Sequence, residues 1–202
     1  MTANVSTQTL DPRLQLLPPG IRPRLWMFGL CVLLPVLVTA AALLAVSGGD
    51  THWDFAGGDP VMVGMAIIGA ELLLMSAIWA LLDRAMRRHR LALSGDSLEV
   101  KTSFYSRIVP FSELRLDQAR VVDLHERTEF KPWVKTNGYS VPGFHSGHFR
   151  LRNREKAFVA IVGERRALWL PTARNAGLLL QPQQPDALLN RLRELATAPL
   201  RG

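Results

Sequence analysis

The sequence predicts a two-part protein: an N-terminal transmembrane helical hairpin, then a mainly-β domain of about seven antiparallel strands closed by one C-terminal α-helix. Three observations predict it. Two runs of 22 residues, Leu25–Val46 and Val61–Leu82, hold between them a single charged residue, Glu71. Arginines flank the outer ends of both runs, while the segment joining them has none. After Arg90 the apolar residues come in short alternating stretches broken by turn residues, the period of half-buried strands.

Residues 1–24 form a mostly polar N-terminal segment, followed by the first apolar run over 25–46. At about 1.5 Å per residue such a run makes a helix of about 33 Å, matching a hydrocarbon core of about 30 Å. Buried helices of a soluble protein would carry a polar stripe and are usually shorter. A cleavable signal peptide is the other alternative, through Ala45-Val46-Ser47, but its apolar stretch is normally 7 to 15 residues and is not preceded by 24 mostly polar ones. Residues 47–60 form the connecting loop and 61–82 the second span.

Charge orients the hairpin. Arg13, Arg22 and Arg24 precede the first span, and Arg84, Arg87, Arg88 and Arg90 follow the second, whereas the loop carries Asp50, Asp54 and Asp59. Under the positive-inside rule both termini are expected in the cytoplasm and the loop outside it. Trp26 and Trp79 are then expected at the inner interface and Trp53 in the outer loop. The basic segment 83–90 is expected to continue the second helix, with Arg84, Arg87, Arg88 and Arg90 beside anionic head groups, each contributing on the order of 1 kcal/mol.

Within the spans, Glu71 is the exception. An ionised carboxylate is expensive at mid-bilayer, so the side chain is expected to turn toward protein and bond to Thr39, or to the same groups of a second copy. Pro35 removes the amide that would have bonded to the carbonyl of Cys31, so a kink is expected there. Cys31 is the sole cysteine, which leaves neither a disulfide nor a thiolate cluster.

The β-domain is expected over 91–197, with a short tail over 198–202. Leu91 and Leu93, then Leu98 and Val100, alternate with polar or small residues across a Gly95-Asp96 turn, and Phe149 and Leu151 alternate with His148, Arg150 and Arg152. Ala157–Val162 and Ala167–Leu170 read as strands. Beyond Pro185, Leu188, Leu192 and Leu195 recur at helical spacing beside Leu189, with the proline at the first helical position.

The run Thr136-Asn137-Gly138-Tyr139-Ser140-Val141-Pro142-Gly143-Phe144-His145-Ser146-Gly147-His148-Phe149-Arg150-Leu151, a strand pair, with Leu179-Leu180-Gln181-Pro182 before the helix, resembles the bacterial pleckstrin-homology-like (PH-like) family over about residues 91 to 196. Gln181 departs from it, standing where Ser-Pro is commoner. The resemblance implies two bent, near-orthogonal sheets closed by the helix, and no catalytic residues. Eukaryotic relatives of that fold often bind phosphoinositides, which is analogy alone.

Little in the sequence suggests chemistry. His145 and His148 form a His-x-x-His pair without a third ligand nearby. In Gly143-Phe144-His145-Ser146-Gly147 the serine is one place late for a nucleophile elbow, and no helix follows. No enzyme activity, metal or cofactor is expected.

From Asp83 onward 21 Lys plus Arg face 12 Asp plus Glu, but the bases are scattered, which argues against nucleic acid as a partner. The densest groups are the juxtamembrane arginines and Lys131, Lys135, Arg150, Arg152 and Arg154. The loop over 127–147, with Trp133, Tyr139 and Phe144, reads as a recognition loop or a lid on the core. The leading expectation is a non-enzymatic adaptor binding a protein partner or its own copies, with Lys131, Trp133 and Lys135 as contacts beside the arginines. A sensor of anionic lipid head groups and an accessory subunit of a transporter or envelope enzyme are the alternatives.

Overall fold

The structure is a computed structural model that describes residues 7–47, 59–94, 96–163, 165–174 and 176–197. Trp53, Asp50, Asp54 and the 198–202 tail lie outside the described residues. The chain divides into two compact units, 21–84 on the one hand and 1–20 together with 85–202 on the other.

In the first unit the leading apolar run begins as helix α1 (Ile21–Phe28) and ends as α2 (Leu34–Ser47), joined by a π-helical turn at Gly29–Leu33. The turn is Pro35's doing. Proline offers no amide to Cys31, and the helix widens so that Leu34 N–H reaches back five residues to Gly29 O. The second run forms α3 (Pro60–Met86). Both are long and apolar enough to cross a membrane by length and composition. Their leucines are not core residues: Leu44 is 73% exposed and Leu73 77%.

Three contacts set the register of the hairpin. Arg24 grips Asp83 through Nε–Oδ1 at 2.5 Å and Nη2–Oδ2 at 3.3 Å. Phe28 meets the Trp79 ring edge-on at 5.4 Å, and Leu43 packs against Gly64. In this antiparallel register Glu71 lies level with Val36, three residues or about 4.5 Å along the axis from the level of Thr39. The expected Glu71–Thr39 hydrogen bond is not formed, and Glu71 Oε2 is buried without a partner.

The second unit is the β-domain. Strands β2 (Arg90–Ser94), β3 (Ser97–Lys101) and β4 (Ser106–Pro110) form an antiparallel meander, which β1 (Thr7–Thr9) extends by pairing with β2. The segment after β1 is also built in. Leu10 and Leu16 are buried, Gln15 exchanges hydrogen bonds with the backbone of Leu91, and Leu17 N–H donates to Gln181 O.

The remaining strands are β5 (Arg120–Asp123), β6 (Pro132–Val141), β7 (Phe144–Leu151), β8 (Lys156–Val162), β9 (Arg166–Leu170) and β10 (Gly177–Leu180), in the sheet order β5-β9-β10-β8-β7-β6. Among the described residues ten strands are present, nine of them from Arg90 onward where about seven were expected, and the pairing is not wholly antiparallel, because β10 runs parallel to β8. A strand between two neighbours and covered on both faces carries apolar residues continuously. Gly177-Leu178-Leu179-Leu180 is buried at every position and so shows no alternation.

The strand pair expected over 136–151 is the β6–β7 hairpin, and it reaches back to Pro132 into what was expected as a 127–147 loop. Its turn is Val141-Pro142-Gly143-Phe144, with Gly143 at φ 83°, the position where a type II turn after proline demands a left-handed residue.

Helix α4 (Pro185–Thr197) starts at the predicted proline and packs on β9 and β5. Leu188, Leu189 and Leu192 join Leu91, Leu98, Val100, Phe158, Leu168 and Leu178 in one core cluster. At about 1.5–3 kcal/mol for each fully buried leucine, those three hold the helix down far more firmly than the exposed Arg166–Asp186 pair, an ion pair of about 0–1 kcal/mol. A second cluster, with Phe130, Phe149, Leu151, Val159, Trp169 and Leu179, fills the other face of the six-stranded sheet.

Candidate interaction site

The structure divides the sequence-predicted contact residues among three places. Arg84 belongs to the hairpin unit and is exposed. Helix α3 ends at Met86, so Arg87, Arg88 and Arg90 are not helical as expected but lead directly into β2. There they line a groove of about 580 Å³ with Lys101 and the β3–β4 loop Thr102-Ser103-Phe104-Tyr105-Ser106.

The loop is pinned from inside. Thr102 N–H and Oγ1 both donate to the carbonyl of Tyr105, at 2.7 and 3.0 Å. Tyr105 Oη donates to Asn137 Oδ1 at 3.1 Å. The Tyr105 ring packs on the cross-strand pair Gly138–Gly147, where a Cβ on Gly147 would come within 2.6 Å of Gly138 Cα and 3.0 Å of the ring. Gly147 also holds φ 112°, so glycine is required there on both counts.

Lys101 Nζ is engaged by Glu99 at 2.8 Å, whereas Arg88 and Arg90 are exposed. Phe104 stands 54% exposed at the loop's outer position and meets Tyr139 edge-on at 6.2 Å.

Behind the loop sits His89, buried, with Nε2 3.4 Å from Ser103 Oγ, its ring tilted over Phe144 at 5.1 Å, and Nδ1 without a partner. Burial pushes its pKa down from 6.5 to about 4, so at neutral pH it is an uncharged packing residue. Sequence reading passed over it among its arginine neighbours. Burial also lowers Arg107, opposed by nearby Glu113. His148 is lowered by burial first and by the Arg107 charge second.

Lys131, Trp133 and Lys135 lie elsewhere, at the outer edge of the six-stranded sheet. Lys131 precedes β6, and Trp133 and Lys135 are on it. Trp133 is 65% exposed and Val134 beside it is exposed too, because register shifts between Pro132 and Val134 and between Lys135 and Asn137 interrupt the alternation. Among the described residues of the β-domain, Phe104, Ile108, Trp133 and Val134 are the large apolar side chains left to solvent. Arg150, Arg152 and Arg154 are exposed, around the turn that follows β7. A further depression of about 550 Å³, lined by Arg115, Glu155, Lys156 and Arg174, opens beside Trp169 and Gly177.

The His-x-x-His pair is split. At a spacing of three on strand β7 the two side chains take opposite faces: His145 bonds to Ser140 Oγ at 2.8 Å and packs on Phe149, whereas His148 packs on Phe158 and Tyr105. Among the described residues no group of three or more potential ligands could hold a metal. Ser146 lies fully buried mid-strand and its Oγ makes no hydrogen bond, so no base activates it.

Compared with known proteins, the chain matches no family model, and neither the curated proteins nor the solved structures give a significant match.

Proposed function

We propose that this chain is a membrane-anchored, non-enzymatic interaction module. Its hairpin spans the bacterial inner membrane and holds a PH-like domain at the cytoplasmic face, where the domain binds a protein partner or a second copy of itself. The observation that carries the reading is the edge of the six-stranded sheet. Trp133 and Val134 sit exposed on β6 near Lys131 and Lys135, and large aromatic side chains on an otherwise polar surface are the usual anchors of protein interfaces.

Two further observations support it. The chain on both sides of the hairpin folds into one unit, through the β1–β2 pairing and the Leu16–Pro182 bridge. A hairpin that spans must then release both ends on the same side, in agreement with its flanking arginines. The PH-like reading draws on two sheets around a shared core with α4 packed against it.

A photo-crosslinking residue at position 133 of the full chain, in native membranes, tests the proposal. Protein adducts that disappear when Val134 and Lys135 are changed to Ser support it. Capture of lipid alone, or adducts unaffected by those changes, overturns it.

A further inference from the structure

We infer that the groove between the start of β2 and the β3–β4 loop is a seat for the phosphate of an anionic phospholipid from the bilayer that anchors the chain. The inference rests on the hairpin spanning the membrane, but not on partner binding at β6.

Four features of the groove converge. Its wall carries Arg87, Arg88 and Arg90, with Lys101 opposite. Guanidinium forks match phosphate oxygens in geometry as well as charge. The hydroxyl-bearing loop residues Thr102, Ser103 and Ser106 line the same space, and the Thr102–Tyr105 bonds hold the loop in shape without a ligand.

The third feature is position. Arg87 is the residue after the last residue of α3, so the groove begins where the apolar helix ends. On the spanning reading, chain connectivity alone keeps Arg87 and Arg88 within a few residues of the apolar run and its head groups. The fourth is Phe104, a groove-lining aromatic that remains 54% exposed, and Ile108, exposed two residues along β4 from Ser106. Apolar side chains next to a basic cleft suit the boundary between head groups and acyl chains, where aromatic rings prefer to sit. A soluble phosphate would use the arginines and leave those apolar residues without a role.

The test uses full-length protein in detergent micelles, with native mass spectrometry titrating retained phosphatidylglycerol against phosphatidylcholine. The wild type is expected to retain phosphatidylglycerol preferentially. Changing Arg88 and Arg90 together to Gln should weaken that retention about thirty-fold, at about five-fold per cation removed. Changing Arg22 and Arg84 in the hairpin unit should leave most of it.

Equal retention of the two lipids, or a preference lost with Arg22 and Arg84 but kept without Arg88 and Arg90, overturns the inference. So does displacement by millimolar inorganic phosphate with Phe104→Ser having no effect, which would make the groove a free-anion site. Membrane fractionation of the same chain separates the two readings. If it pellets with membranes yet shows no lipid preference, the groove assignment alone falls; if it stays in the aqueous phase, the anchoring reading falls and takes the groove with it.

Discussion

Burial of His89 makes the β-domain acid-sensitive in a way that one substitution should remove. With a folded pKa of about 4 against 6.5 for the free side chain, the unfolded chain binds a proton that the folded one refuses. Stability therefore rises with pH: the contribution is intact above about pH 6.5 and is lost as pH falls toward 4. At 1.36 kcal/mol per pH unit, the loss reaches about 2 kcal/mol at pH 5 and about 3 kcal/mol near pH 4. His89→Phe keeps the ring packed on Phe144, removes the titration and gives up only the 3.4 Å approach to Ser103. The two proteins share every other titratable group, so the difference between them isolates the imidazole. Hydrogen exchange of the Phe158–Ile161 amides, corrected for intrinsic rates and compared at pH 7.5 and pH 5, reads the domain's opening free energy. The wild type should lose about 2 kcal/mol more than the variant. An equal loss in both would show that His89 is already solvated or charged in the fold.

Three other substitutions, one of them with a control, probe separate parts of the structure. Gly177→Ala would drive a Cβ into the Trp169 ring, with two further ring carbons at 2.9 Å, and should cost about 1–3 kcal/mol or more by the same exchange measurement. Gln181→Ala removes the Oε1 that accepts Val162 N–H at 2.7 Å and should cost about 1–3 kcal/mol, whereas Gln183→Ala, at an exposed position, should cost under about 0.5 kcal/mol. Asp83→Ala frees Arg24 and should loosen the ends of the hairpin, seen as weaker disulfide trapping between cysteines placed at 28 and 79 in a Cys31→Ala background.

What could be read from the sequence followed burial pattern. The two long N-terminal helices announced themselves because they are apolar on every side, and α4 because only one side is buried. Strands β2, β3, β8 and β9 were located by the stretches that compose them. β10 was not seen as a strand, because burial on both faces erases alternation. The second half of β6 was read as one member of a strand pair, but its first half was left in a loop because exposure leaves it polar around Trp133, with Lys135, Thr136 and Asn137 in its middle. Gln181 looked like a departure at the helix start, yet its amide caps the end of β8, a partner visible only once β8 and β10 lie side by side.

The candidate sites divide the same way. Arg87, Arg88 and Arg90 were legible as charge, and Trp133 as a large aromatic in a polar stretch. That Lys101 and Thr102–Ser106 complete the groove depends on the β2–β3 and β3–β4 registers, which bring residues far apart in composition to one place. The same lack of register hid the mismatch in depth between Glu71 and Thr39.

The Leu16–Pro182 bridge has a further consequence for biogenesis. Residues 10–17 close against the segment around Gln181 and Pro182, with the two long apolar helices lying between them in sequence. The unit they complete is therefore discontinuous: its N-terminal segment is translated before the hairpin and finds its pocket only after the strands beyond the hairpin have been made. On the proposed spanning reading, a chain that inserted with one span skipped would leave Leu10 and Leu16 across the membrane from that pocket.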